Sequence, residues 1–379
     1  MQPIRFERSV GRPPLILSLF TALHISLPTM TKRKYAEYQA SKYQPPTALP
    51  SLQMYRNRSN ILETTYTSPR GENVVALRTK QSEAYGKEAT FTASRTLLAK
   101  DSSVFVRMFE EKTASSYDGN PLFFVEDDPK DLQDFLLALH DYCAYTRSSR
   151  WTNGHSIGAL LRLSKRYKVQ HLVDRTLEYL TQVRYPIQTL EAYQQNPWLA
   201  LVYMEEIAIL NAVAKIEYQP LIPLLTYRAA ISWSLTELIN CQIRVPSAPG
   251  RPWFVTQACR SRVIRMHCSL SAWFWTVTER MLRKTSAKCV DREACKAALR
   301  VWRDKTVSFM ADDNGLLFDI FLTVAYAIDD ARGVCTECKE RAKRTIGNLQ
   351  QDAWDKLPVF VGMGSWEDVD GTTKKEQVE

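Results

Sequence analysis

Cys289, Cys295, Cys335 and Cys338 are the residues of this chain whose type and spacing could do chemistry. They form a C-x5-C and, about forty residues on, a C-x-x-C. Four thiolates from two such pairs can hold a structural zinc ion tetrahedrally, with no position left open for a substrate. The first spacing is wider than the usual two to four residues, and the residues around both pairs read as helical. Two other readings fit the same residues: unligated thiols packed in a core, and disulfides. A redox C-x-x-C fits least, because no βαβ pattern surrounds it. The chain has eight cysteines in 379 residues, and a chain of this length does not need disulfide staples, so intracellular thiols are the default.

Other reactive constellations are missing from the sequence. There is no G-x-x-x-x-G-K-[ST], no G-x-G-x-x-G, no G-x-S-x-G and no H-E-x-x-H. The five histidines, His24, His140, His155, His171 and His267, show no spacing of a metal pair. Those at 140 and 171 fall within predicted helices, where a satisfied or solvent-edge imidazole is the plainer use. The carboxylate pairs Asp127-Asp128, Asp312-Asp313 and Asp329-Asp330 fall at predicted helix boundaries, where caps and dipole partners explain them. Gly362-Met363-Gly364 is too short to mark a phosphate loop. These absences argue against an enzyme and against a small-molecule substrate.

The charge is lopsided. Net charge is +9, but residues 1–60 hold nine Lys/Arg against two Asp/Glu, so the rest of the chain is nearly balanced. A basic leading segment is not a basic face on a folded body, which weighs against nucleic acid as a partner. Eight tryptophans between 198 and 366 could stack bases, but without basic excess beside them they read as helix packing. The apolar run at 15–27, after Arg5, Arg8 and Arg12, reads as a signal segment, a surface-docking piece or an extension before Met30. It is too short to cross a bilayer comfortably. An intracellular chain, cytoplasmic or nuclear, is expected, with no membrane span.

The elements that must position these residues fall into two kinds. Residues 1–60 are basic and Pro-containing and read as mostly unstructured, with order beginning near Ile61. Strands are predicted at 73–78, 89–93 and 122–126. Ser94 is placed to cap a short helix that carries Leu97 and Leu98 inward. Asp101 or Ser102 caps the next, whose Val104, Phe105, Met108 and Phe109 share one face. The stretch "TASSYDGNP" reads as a loop. Asp128-Pro129 opens a helix with the stripe Leu132, Phe135, Leu136, Leu139 and Cys143. Residues 157–183 read as two helices broken around Lys168-Val169. From 188 onward no strand is predicted, and helices are expected at 293–310, 315–330 and 335–354, with a charged tail from 368 to 379.

This order resembles a BTB/POZ domain. "FTASRTLLAKDSSVFVRMF", residues 91–109, is similar to that family's central signature through Phe91, Leu97, Leu98, Ala99, Ser103, Val104, Phe105, Met108 and Phe109. Residues 125–141 resemble its following strand and helix, and Leu163, Tyr167, Leu172 and Leu180 its closing helices. Near the end, Cys335, Cys338, Trp354, Asp355, Leu357, Pro358, Phe360 and Trp366 resemble the ending of a large fungal BTB-domain family. The likeness spans roughly residues 60–367. It departs at Ser94, where many BTB domains carry a His, and at Val361, which separates Phe360 from Gly362.

The resemblance implies an α+β BTB/POZ fold at 61–186 and an all-α region at 187–367. It implies a non-enzymatic interaction protein that forms homo- or hetero-oligomers through the BTB domain, with Phe91, Leu97, Leu98, Val104, Phe105, Met108 and Phe109 as a signature that is core on one face and lies beside a protein-docking surface. Two alternatives follow from it, a nucleic-acid-associated regulator and a substrate adaptor on a cullin scaffold. No cofactor is expected beyond the structural zinc that the spacing of the four cysteines allows.

Overall fold

The computed structural model describes residues 53–56, 62–65, 73–79, 89–111, 115–147, 153–185, 189–194, 206–233, 235–239, 243–244, 252–253, 255–281, 285–312, 328 and 333–370. Strands are concentrated in its first part and helices make up most of the rest, an α+β arrangement.

Six strands form one mixed sheet. They are β1 (Gln53–Arg56), β2 (Leu62–Thr65), β3 (Val74–Thr79), β4 (Thr90–Ser94), β5 (Ser116–Tyr117) and β6 (Asn120–Val125), in the order β1-β2-β4-β3-β6-β5. The inner strand β3 buries Val75, Ala76 and Leu77 in succession, as a strand covered on both faces should. It pairs antiparallel with β4 and parallel with β6. Two features differ from the sequence reading. Strand β1 begins before Ile61, inside the stretch expected to lack structure. The "TASSYDGNP" stretch contains β5 and the turn into β6, because Asp118 and Gly119 both take positive φ, the conformation that suits a two-residue hairpin.

Helices follow where their caps predict. Helix α1 (Arg95–Asp101) starts at Ser94, whose hydroxyl accepts the Leu97 N–H at 3.2 Å. Helix α2 (Ser103–Glu110) starts at Ser102, whose hydroxyl accepts the Phe105 N–H. Helix α3 (Pro129–His140) is capped by Asp128, which accepts from Lys130 and Asp131. It ends three residues before the last member of the expected stripe. The chain breaks at Asp141, so Cys143 lies on the short α4 (Tyr142–Arg147) and is exposed. Asn153 caps α5 (Gly154–Arg166), and Lys168 in a left-handed conformation turns the chain into α6 (Gln170–Tyr179), which runs on as a π turn to Arg184.

The remaining helices stack outward from α5. They are α7 (Leu190–Gln194), α8 (Glu206–Lys215), α9 (Ile222–Ser232), α10 (Leu235–Ile239), α11 (Gln257–Met281), α12 (Arg292–Asp312), α13 (Thr336–Asp355), α14 (Leu357–Phe360) and α15 (Trp366–Asp370). Helix α5 packs on α8, α8 on α9, α9 on α11, and α11 on α12, α13 and α14. The α5–α8 crossing is close enough that a Cβ on Gly158 would sit 2.8 Å from the Ala208 carbonyl oxygen, so only glycine fits there. Between α8 and α9 lies a fully buried ion pair, Arg228 with Glu206 at 3.2 Å.

Three further differences are local. A two-stranded hairpin, β7 (Ile243–Arg244) with β8 (Pro252–Trp253), interrupts the helical half where no strand was expected. Helix α15 runs three residues into the stretch expected to be a charged tail. The expected helix at 315–330 and the apolar run at 15–27 lie outside the described residues, save Ile328. No helix among the described residues is long and apolar enough to cross a membrane.

Candidate functional site

Three segments bring the four cysteines together. The first is the turn at 285–291, closed by the Cys289 N–H on the Ser286 carbonyl at 3.1 Å. The second is the first turn of α12, capped by Asp291, whose carboxylate accepts the Ala294 N–H while its carbonyl accepts the Cys295 N–H. The third is the start of α13, where Cys335 is the capping residue and Cys338 lies in the first turn. A cap and the third helical position face the same side, so the C-x-x-C spacing aims both sulfurs at one point. Gly333, with φ +82°, bends the chain into Cys335.

The four sulfur atoms all lie within 4.8 Å of one another. Cys289 and Cys335 are 3.8 Å apart, sulfur to sulfur. That is nearly twice a disulfide bond length of about 2.05 Å, so the pair is not covalently joined. Cys295 and Cys338 are buried, and Cys289 and Cys335 are half-buried. Backbone amides point at two of the sulfurs. The Ser286 N–H donates to Cys338 Sγ at 3.3 Å, and the Cys335 N–H donates to Cys295 Sγ at 3.2 Å. From α13, Arg341 donates to the Thr285 carbonyl at 2.6 Å and ties the turn to the helix.

The sulfurs are electrostatically unequal. The Cys338 amide, with hydrogen bonds from the other thiols, draws the Cys335 thiol down to about 7. Burial first, and then hydrogen bonds within the cluster, push Cys289 up to about 12. Burial also raises Cys338.

The signature residues form the second assembly. Phe91, Leu98, Phe105 and Phe109 are buried, while Leu97, Val104 and Met108 are half-buried. The Phe105 ring stacks on Tyr167 at 4.4 Å, Phe109 meets Phe123 at 5.1 Å, and Phe135 meets Tyr167 at 5.4 Å. The Ser102 hydroxyl donates to the Tyr167 carbonyl at 2.5 Å, so one serine caps α2 and docks it on the α5 terminus. Arg95 lies over the Phe109 ring and donates to the Phe109 carbonyl, holding α1 to α2. Beside this core a small open groove of about 40 Å³ runs between β4, α1 and α3, lined by Phe91, Leu97, Leu136, Leu137 and His140 among others. On the solvent side of β6, Phe124 is 54% exposed.

Some of this arrangement has no local signal in the sequence. Asp128 caps α3 as expected, but its neighbour Asp127 bonds Tyr167 Oη and Arg166 at the far end of α5. His155 pairs with Asp131, which also binds Arg162 at 2.5 Å. These partners lie more than twenty residues away in sequence, so only the fold reveals them. The tryptophans whose contacts are described pack as helix residues. Trp354 stacks on Trp366 at 5.5 Å, and Trp273 donates to Asp352. Compared with known proteins, the chain matches no family model and no curated protein sequence.

Proposed function

We propose that this chain is a non-enzymatic interaction protein. Its β3-to-α6 portion acts as a BTB/POZ-like assembly module, and the helical remainder presents a second contact surface. The observation that carries this reading is the signature stretch itself. It gives one face to a core with Tyr167 and Phe135 and leaves the other beside an open apolar groove. A strand, two short capped helices, a strand and a helix in that order are what a BTB-like module would require. Apolar surface left uncovered, such as Phe124 and the Leu97 side of the groove, is the kind that a partner protein covers. The partner favoured by this reading is a second copy of the chain.

Light scattering of the full chain over a wide concentration range tests it. A dimer that persists on dilution is the expected result. A chain that stays monomeric at the highest concentration overturns the self-association reading. The full chain is the right material, because a fragment ending near 186 would strip α8 from Gly158 and uncover α5.

A further inference from the structure

We propose that Cys289, Cys295, Cys335 and Cys338 bind a single Zn²⁺ ion in a closed, all-thiolate site, which clasps the N-termini of α12 and α13 to the 285–291 turn. This inference stands apart from the interaction reading and neither needs it nor supports it.

Geometry carries the proposal. Four sulfurs at about 2.3 Å around one ion in a tetrahedron lie about 3.8 Å from each other. Cys289 and Cys335 already have that separation, and the whole set closes to within 4.8 Å. Ordinary packing does not ask for this. Four thiols turned toward a common centre leave polar, ionisable groups facing one another in a partly buried place, where leucine or valine would fill the space at lower cost. The surroundings also suit thiolates. Cys295 and Cys338 each accept a backbone N–H, and each lies in the first turn of a helix, whose dipole favours negative charge. Such N–H bonds to sulfur are the outer support that orients thiolate ligands.

The donor set narrows the ion. All-sulfur tetrahedral sites favour zinc, or iron as a close competitor, and disfavour calcium and magnesium, which take oxygen. Four protein ligands leave no open position, so the ion is structural and not catalytic. Binding replaces the thiol protons with the metal and releases them to solvent, so uptake weakens as pH falls.

The full chain, purified under reducing conditions without a metal-binding tag, is analysed for metal and then reconstituted with Co²⁺ as an optical probe. One zinc per chain and the absorption of tetrahedral cobalt thiolate are expected. Cys289→Ser, at a half-exposed position, should alter the cobalt spectrum toward three sulfurs and weaken binding even if Cys338→Ser fails to fold. Cys268→Ser, at an exposed cysteine outside the cluster, should leave both unchanged. A folded chain that takes up neither zinc nor cobalt overturns the site. Tightly bound iron in place of zinc overturns the choice of metal, and an unchanged spectrum in Cys289→Ser overturns the ligand set.

Discussion

Helices α5 and α13 are held in place by different means. Helix α5 buries nine of its thirteen residues and packs against both α3 and α8. Helix α13 buries six of its twenty, as a single stripe from Cys338 through Ala342, Ile346 and Gln350 to Ala353 and Trp354. Half of that stripe is small and Gln350 is polar, so it buries less apolar area, at roughly 25 cal/mol per Å², than the α5 face does. What α13 lacks in packing it makes up in tethers, the sulfur cluster at its start and Trp354 at its end. The first helix depends on shape at many points, and the second on a few specific links.

That contrast can be broken most sharply at the tethers. If the sulfurs hold zinc, a strong chelator should abolish amide protection along the starts of α12 and α13 while α5 keeps its own. Hydrogen exchange with peptide resolution would show it, and equal loss in both helices would erase the distinction. Structural zinc sites in small domains are worth about 10 kcal/mol or more, so this should be the largest effect.

Phe105→Ala attacks the packed region instead. It removes the ring stacked on Tyr167 from a fully buried site, and should cost about 3–5 kcal/mol by urea denaturation. Gly158→Val should cost less, about 1–3 kcal/mol, as α5 and α8 move apart to relieve contact with the Ala208 carbonyl. A thermal melt that matches the parent chain would mean that the crossing is looser than described.

The smallest effect is one of pH. Burial, and then the charge of Asp131, raise Asp128 from 3.8 to about 6. The folded chain therefore keeps this proton in the window between those values, where the unfolded chain has released it. Its contribution to stability is present below the window and is lost as pH rises through it. Asp128→Asn keeps a good helix cap without the charge. The variant should gain on the parent as pH rises across that window, and parallel stability curves would show that Asp128 does not titrate there.

Local chemistry was legible in the sequence, and distant partnerships were not. The caps at Ser94, Ser102 and Asp128 could be read because a cap involves only the next three residues. The Asp118-Gly119 turn carries an equally local signal, but strand β5 beside it has only two residues, too few to show a strand pattern. Cys143 continues the apolar stripe in sequence but lies past a break that only the backbone at Asp141 reveals. For the four cysteines, spacing named the residues, but whether they meet depends on how α12 and α13 start beside each other. Glu206 and Arg228 look like surface charges on two helices, and nothing in their neighbours tells that both are buried.

Strand β3 also governs the order in which the sheet can form. Leu77 finds Phe91 on β4 after a short excursion of chain, but finds Phe123 on β6 only after β4, α1, α2 and β5 have intervened. Closing the longer loop costs more chain entropy before any contact rewards it. The β3–β4 pair is thus the natural early structure, and docking of β6 beside it the later one. Substitutions on the β6 side of β3 should chiefly slow folding if that docking forms the barrier, and chiefly speed unfolding if it follows the barrier.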